Sequence, residues 1–314
     1  MRLASIILIL ALGSGAACGS EELLIEPDAG LAPVYELLKS ATRSIDMTMY
    51  ELSDPAAEQL LAQAAARGVV VRVILDANRE RKRDAAAFAY LLSHGVSVRW
   101  AGPGYRATHE KAFVVDGSVA AILTLNLTAR FYRSTRDFGV VDRDPEDIAA
   151  IESVFEADFG GQATTAPPGS ALVWSPGQSN TELLMLIHSA RETLWAENEE
   201  MSDRDIVNAL KNDAARGVAV RIVMNNDTSY TKEWQELSDA GAQVVTGGPL
   251  YIHAKVILVD YGTPEARAFE GSENFSYASL RENRELGLVF TDPSMIESLQ
   301  AALAADFNNG KPWP

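Results

Sequence analysis

Apolar and polar positions over residues 44–76 fall into two alternating patterns. SIDMTMYELSD at 44–54 reads as a strand that ends in an aspartate cap. AAEQLLAQAAARG at 56–68 reads as a helix stopped by Gly68, and VVVRVILD at 69–76 as a β-branched strand. The same order returns later. TLWAENEEMSD at 193–203 matches the first strand and cap, RDIVNALKNDAARG the helix with its stop at Gly217, and VAVRIVMN at 218–225 the second strand. Strands alternating with helices predict an α/β architecture with a mixed or largely parallel sheet in each half.

The repeat continues into polar positions. HEKAFVVD at 109–116 and HAKVILVD at 253–260 share the spacing His-x-Lys-x-x-x-x-Asp. Asn126 stands 11 residues before Asp137, and Asn274 stands 11 before Glu285. A glycine follows each carboxylate by two places, in RDFGVV and RELGLV. Two unrelated surface strands would not agree over so many positions, so the chain reads as a duplication. A first lobe over 18–160 and a second over 171–314 are expected, related by a pseudo-two-fold axis. The Gly-, Pro- and Thr-rich stretch at 161–170 is the linker. The second half carries extra residues after Asp260, around YGTPEARA, which predict a longer hairpin turn.

Composition narrows the partners. The chain has 314 residues, 47% hydrophobic and 22% charged, which is ordinary for a globular protein. Its net charge of −16 disfavours a generic nucleic-acid surface, which needs excess Lys and Arg. Residues 1–17 read as a signal peptide: an early cation at Arg2, an apolar run from Ile6 to Leu12, then small residues. Cys18, the one cysteine of the chain, follows Gly15-Ala16-Ala17 in the manner of a lipoprotein cleavage box. Lipidation of Cys18 is the expectation, with simple secretion as the alternative. With Gly19 next, the address is the cell envelope, an outer-membrane lipoprotein, or otherwise the periplasm or medium.

The paired motif suggests its chemistry. Side chains alternate along a strand, so His109 and Lys111 share a face, as do His253 and Lys255. Asp116 and Asp260 fall on the other face and suit bracing of a turn. Two such pairs brought together would make one site. A neutral imidazole can attack phosphorus while its protonated twin donates to the departing oxygen. Two lysines with Asn126 and Asn274 would hold the non-bridging oxygens. Asp137 and Glu285 are placed to hold the second nitrogen of each imidazole. The scheme needs no metal and no cofactor, and no Cys/His cluster or HExxH motif points to one.

HEKAFVVD and HAKVILVD, each with its downstream Asn and carboxylate, resemble the paired motifs of the phospholipase D superfamily. The likeness covers nearly all of the chain after the leader. It implies two phospholipase D-like lobes, each a mixed sheet flanked by helices, and a covalent phosphohistidine resolved by water or an alcohol. It further implies His109 as nucleophile and His253 as general acid, an order the residues alone leave open. The family places Gly-Ser or Gly-Gly shortly before the Asn. The second half keeps Gly271-Ser272, whereas the first has Leu123-Thr124, so Thr124 and Ser272 become candidate substrate-binding hydroxyls. Metal-independent hydrolysis of phospholipid head groups is the first functional expectation, with a lipid anchor holding the enzyme beside its substrate. A secreted or surface nuclease, a phosphatidyl transferase and a non-catalytic phosphate-ester-binding lipoprotein are the alternatives.

Other polar features read more plainly. His94 in LLSHGV suits a helix end and His188 a helix surface. NRERKRD at 78–84, the one basic run, reads first as a solvated helix start and second as a phosphate contact. Tyr105 and Tyr251, in the turns before the two histidines, suit either the pocket rim or the core edge.

Overall fold

The computed structural model describes residues 21–162, 164, 165, 167 and 171–314. The expected signal peptide, Cys18 and part of the linker lie outside the described residues. The first lobe runs β1 (Glu21–Glu26), α1 (Ala32–Ser40), β2 (Ser44–Met49), α2 (Pro55–Ala66), β3 (Val70–Leu75), α3 (Ala85–Ser93), β4 (Ser97–Trp100), β5 (Lys111–Val115), β6 (Val119–Leu123), β7 (Thr135–Asp142) and α4 (Pro145–Phe159). The second runs β8 (Leu172–Ser175), α5 (Ser179–Ser189), β9 (Thr193–Asn198), α6 (Arg204–Ala215), β10 (Ala219–Met224), α7 (Thr231–Asp239), β11 (Gln243–Thr246), β12 (Tyr251–Ile252), β13 (Lys255–Val259), β14 (Arg267–Gly271), α8 (Tyr277–Arg281), β15 (Glu285–Phe290), α9 (Pro293–Asn309) and β16 (Lys311–Pro312).

Both sheets are mixed and share one strand order. The first is β1-β7-β6-β5-β2-β3-β4, and the second is β8-β15-β14-β13-β9-β10-β11 with β16 on its edge. β2, β3 and β4 are parallel, as are β9, β10 and β11, and the remaining neighbours on each path are antiparallel. The caps sit where the pattern predicts. Asp54 accepts from the Ala56 N–H at 2.9 Å and Asp203 from the Asp205 N–H at 3.0 Å, starting α2 and α6. Gly68 and Gly217 end those helices at φ of 91° and 99°, which a side chain rarely tolerates.

Strand alternation splits the apolar residues into layers. On β5, Phe113 and Val115 pack toward α1 and α2, in the outer core of the first lobe. Ala112 and Val114 face the opposite way and join a central core shared by the lobes. That core adds Ile122 and Phe138 from the first lobe and Val256, Leu258, Leu286 and Leu288 from the second. α4 and α9 close it with Ile151, Val154, Leu299 and Leu303. Each sheet therefore carries helices on its outer face, and the apolar seam between the sheets is completed by α4 and α9.

Two short crossings stitch the seam. β12, from the second lobe, pairs with Thr135–Arg136 of β7 in the first. Its mirror is a bridge between Thr108 and Arg284, at the start of β15. Each lies one residue from a motif histidine. The hairpin after Asp260 spans residues 260–266, against residues 116–118 after β5, as the extra residues of the second half predict.

Candidate active site

The crossings decide where the imidazoles go. The Arg284 carbonyl accepts from the His109 N–H at 2.8 Å, and the Arg136 carbonyl accepts from the His253 N–H at 3.0 Å. One residue further along each strand is the carboxylate. His109 Nδ1 therefore lies 2.8 Å from Glu285 Oε2, and His253 Nδ1 lies 2.7 Å from Asp137 Oδ1. Each imidazole is held by the other lobe. Both Nδ1 atoms are engaged, so both Nε2 atoms are left for the cleft that His109 and His253 line together.

The approach to each histidine is pinned at the end of a parallel strand. Asp76, after β3, accepts from the Thr108 N–H at 2.8 Å. Asn225, after β10, accepts from the Ile252 N–H at 2.7 Å and donates to the Ile252 carbonyl at 2.6 Å. These residues close the repeated strands VVVRVILD and VAVRIVMN, so their equivalence was visible while their role was not.

Lys111 and Lys255 are fully buried, and each Nζ donates to the carbonyl of the histidine two residues before it. Burial, reinforced by the charge on Lys255, pushes Lys111 down to about 7 against the pull of Glu285. Burial also lowers His109 below its ordinary value, with Lys111 and Lys255 adding to the effect and Glu285 opposing it. Burial works against ionisation of Asp137 and Glu285. The facing imidazoles and lysines overcome it and hold both carboxyls below the usual range.

Asn126 and Asn274 both line the cleft, and the buried Oδ1 of each has no hydrogen-bond partner among the described residues. Their amides are free to take up polar groups of a ligand. Thr124 and Ser272 do not join them. Thr124 Oγ1 donates to Asp137 at 2.7 Å and accepts from the Phe138 N–H at 2.9 Å. Ser272 Oγ accepts from the Leu286 N–H at 3.0 Å. Both side chains are wholly buried, so the expectation of substrate contact is corrected to one of support for β7 and β15. Leu123, which replaces a glycine of the family pattern, packs into the outer core of the first lobe and lies 2.6 Å from where a Cβ on Gly139 would sit. It fills space above that glycine and stays out of the cleft.

Asp116 and Asp260 are braces, as strand alternation implies. Asp116 accepts from the N–H groups of Thr42, Arg43 and Ser44 at 3.0, 2.7 and 2.9 Å. Asp260 accepts from those of Arg191, Glu192 and Thr193 at 2.8, 2.8 and 3.2 Å. Both sit at positive φ, 55° and 52°, at the exit from the motif strand.

Four residues that the motif did not single out complete the site. Ser279 Oγ donates to Glu285 Oε1 at 2.6 Å, and Asn283 Nδ2 donates to the same oxygen at 3.0 Å. Tyr50 and Glu199 occupy equivalent places in the two halves and differ. Tyr50 meets His109 edge-on, with ring centroids 4.5 Å apart, and lies under Lys111 Nζ. Glu199 lies 3.6 Å from His253 Nε2 and 3.3 Å from Lys255 Nζ, and accepts from Tyr251 at 2.9 Å. Burial resists its ionisation, but Lys255 and His253 hold it at about 2. Tyr251 is thus a rim residue. Tyr105 is not, since its hydroxyl donates to Asp158 at 3.1 Å and its ring lies under Arg284. His94 caps α3, and His188 is exposed beside Asp213.

The family model described as "Cardiolipin synthase, PLD-like domain" matches this chain twice, over residues 34–159 and 183–308. Cardiolipin synthase A of Pseudomonas aeruginosa (strain LESB58) is 30% identical over 330 residues, covering 91% of this chain and 66% of that protein. The chain spans between 60% and 66% of the length of the curated relatives it matches. Phosphatidylserine synthase of Haemophilus influenzae Rd KW20 has a similar structure, with a TM-score of 0.70 over 94% of this chain and 88% of that one at 13% identity. Polyphosphate kinase of Porphyromonas gingivalis gives 0.72 over 91% of this chain and 50% of that one at 15% identity. These two likenesses concern the fold.

Proposed function

The chain belongs to the phospholipase D superfamily, and from that premise we propose that it exchanges phospholipid head groups through a phosphohistidine. The observation that carries the reading is the pair of imidazoles in one cleft, each tied through Nδ1 to a carboxylate of the opposite lobe. His109 Nε2 attacks phosphorus, and the bond from phosphorus to the head-group oxygen breaks. His253 gives its Nε2 proton to that oxygen. An incoming hydroxyl then returns a proton to His253, its oxygen bonds to phosphorus, and the bond to His109 breaks. Lys111, Lys255 and the two asparagines stabilise charge on the non-bridging oxygens.

Tyr50 and Glu199 favour this order of roles. An aromatic edge beside His109 suits a neutral nucleophile, whereas a carboxylate beside His253 Nε2 suits the nitrogen that carries the proton. Transfer to an alcohol is favoured over transfer to water, since the relatives that match are named as synthases. The cleft, of ≈ 530 Å³, has room for an acceptor. Hydrolysis is the second reading and differs only in the incoming hydroxyl. A nuclease is disfavoured by Glu199 and Glu200, which line the cleft and would repel a polyanionic backbone. Export through the leader and anchoring at Cys18 belong to the same proposal. The mass of the mature protein from cell envelopes tests that part, with an acylated cysteine at its N-terminus expected.

The enzymatic test follows products from labelled phosphatidylglycerol vesicles, with and without an added alcohol, in EDTA. A new phospholipid that requires the alcohol supports transfer, and phosphatidic acid alone supports hydrolysis. Equal product from wild type and His109→Ala would sink both readings.

A further inference from the structure

On the side of the first lobe, the cleft opens through a rim whose charge is opposite to that of the molecule. The stretches 78–83 and 129–134 hold six exposed cations, Arg79, Arg81, Lys82, Arg83, Arg130 and Arg133, and no exposed carboxylate. The chain as a whole carries −16. The two stretches meet at one mouth, because Arg83 and Phe131 line the same cleft. Their carboxylate partners are buried beneath them: Glu80 lies 2.7 Å from Arg83, and Glu51 lies 3.3 Å from Arg130. The basic run thus leads directly into α3, whose N-cap is Asp84, and brings Arg83 to the cleft.

The same rim exposes aromatics. Seven large apolar or aromatic side chains are exposed among the described residues, and three of them border the site: Phe131 at 42%, Tyr251 at 49% and Tyr277 at 60%. The Arg130 guanidinium lies over the Phe131 ring at 4.4 Å, whereas that of Arg281, over Tyr277 at 4.8 Å, is committed to Asp203 and Asp205 at 2.6 Å each. Arginine with half-exposed aromatic rings suits the boundary between lipid head groups and acyl chains, where a ring can enter while its cation stays with phosphate.

We propose that this rim docks the catalytic mouth onto a bilayer surface rich in anionic phospholipid. The cations give attraction local to the mouth, and the acidic remainder of the molecule turns the other faces away. Phe131 and Tyr251, on opposite lobes, enter the interface on either side of the cleft. A nucleic-acid strand fits less well. It would need cations along its whole track, and the track leads to the carboxylates Glu199 and Glu200. The docking deepens the head-group reading and rests on it for its purpose, but its test is independent.

The experiment uses the full chain with Cys18→Ala, so that no acyl chain on that residue contributes. It measures co-flotation with vesicles of phosphatidylcholine alone and of phosphatidylcholine mixed with phosphatidylglycerol. Binding at least ~10-fold stronger to the mixed vesicles, weakening as salt rises, is expected. Lys82→Glu/Arg133→Glu should bring the mixed vesicles down to the level of phosphatidylcholine. Neither residue makes an ion pair or hydrogen bond among the described residues, so the fold is not at stake. Phe131→Ser should weaken binding to both vesicles. Equal binding of wild type to the two vesicles, or wild-type binding by the charge-reversed variant, overturns the proposal. So does a gel shift of duplex DNA that the double variant abolishes while vesicle binding stays intact. Turnover of soluble bis(p-nitrophenyl) phosphate without vesicles separates the two ideas. If it persists while flotation fails, only the docking falls; if it is absent, the phosphodiester chemistry falls.

Discussion

At the residue scale, the twin histidines are chemically identical and environmentally unlike. Burial and the two lysines keep His109 neutral to lower pH than an ordinary imidazole. Its attack is therefore available above a point lower than ~6.5, and the rising limb of kcat/KM against pH should lie below that value. Lys111, at about 7, must stay protonated to serve phosphate, so kcat/KM should fall as pH passes that point. Lys111→Arg keeps its charge at every accessible pH and should remove that falling limb, whatever it does to the maximal rate. An unchanged limb would assign it to another group. His253 is tested by its leaving group. His253→Ala should lose about 10²–10⁴-fold on an alkyl head group, which needs a proton, and far less on p-nitrophenolate, which leaves unaided. Equal losses on the two substrates would remove the general-acid role.

At the element scale, the repeat made the strands, helices, caps and motif faces legible, because each rests on a local period. The bracing role of Asp116 and Asp260 followed from parity alone. Tertiary register was not legible. That His109 uses Glu285 and His253 uses Asp137 depends on Thr108 and Ile252 crossing to the other lobe, and no local period encodes that. Thr124 and Ser272 were misread for the same reason: a hydroxyl before the asparagine looks the same whether it faces ligand or the neighbouring strand. The braces carry their own pH dependence. Burial resists ionisation of Asp116, but the Thr42 hydroxyl and the N–H groups of Ser44, Arg43 and Thr42 hold its carboxyl at about 2. Its unfolded value is ~3.9. The stabilisation is thus complete above ~4 and is lost as pH falls through 2. Asp116→Asn should lower the urea midpoint at neutral pH, and the gap from wild type should close toward pH 2. Gly287 has a different constraint. A Cβ there would lie 2.4 Å from Phe269 Cε2 and 2.7 Å from the Glu270 carbonyl oxygen. Gly287→Ala should therefore cost about 1–3 kcal/mol by chemical denaturation, and a neutral result would mean that β14 yields more easily than its buried position suggests.

At the scale of the whole molecule, the site exists only where the lobes meet, and two buried arginines tie it to their packing. Arg284, 0% exposed, donates to Asp158 of α4 at 2.8 and 3.1 Å, and its carbonyl accepts from the His109 and Glu110 N–H groups. Arg136 does the same in mirror image, donating to Asp306 of α9 at 2.5 and 3.3 Å while its carbonyl holds the His253 N–H. Each arginine directly precedes the carboxylate that orients an imidazole, so the ion pair that fastens a lobe also sets a catalytic angle. Removing one partner strands the other in a poorly solvated seam, and Arg284→Ala should destabilise the protein by about 3–5 kcal/mol. Arg284→Met with Asp158→Leu removes both charges together and should recover much of that loss. Stability and activity should then part company. The double variant should unfold near the wild-type midpoint in a single transition, as expected for lobes that share the central core. Its kcat should stay depressed, because the residue before Glu285 is no longer anchored to α4, and Ser279 and Asn283 alone then hold Glu285 against His109. Recovery of kcat together with stability would show that the backbone crossing at Thr108 suffices to aim the imidazole without the arginine.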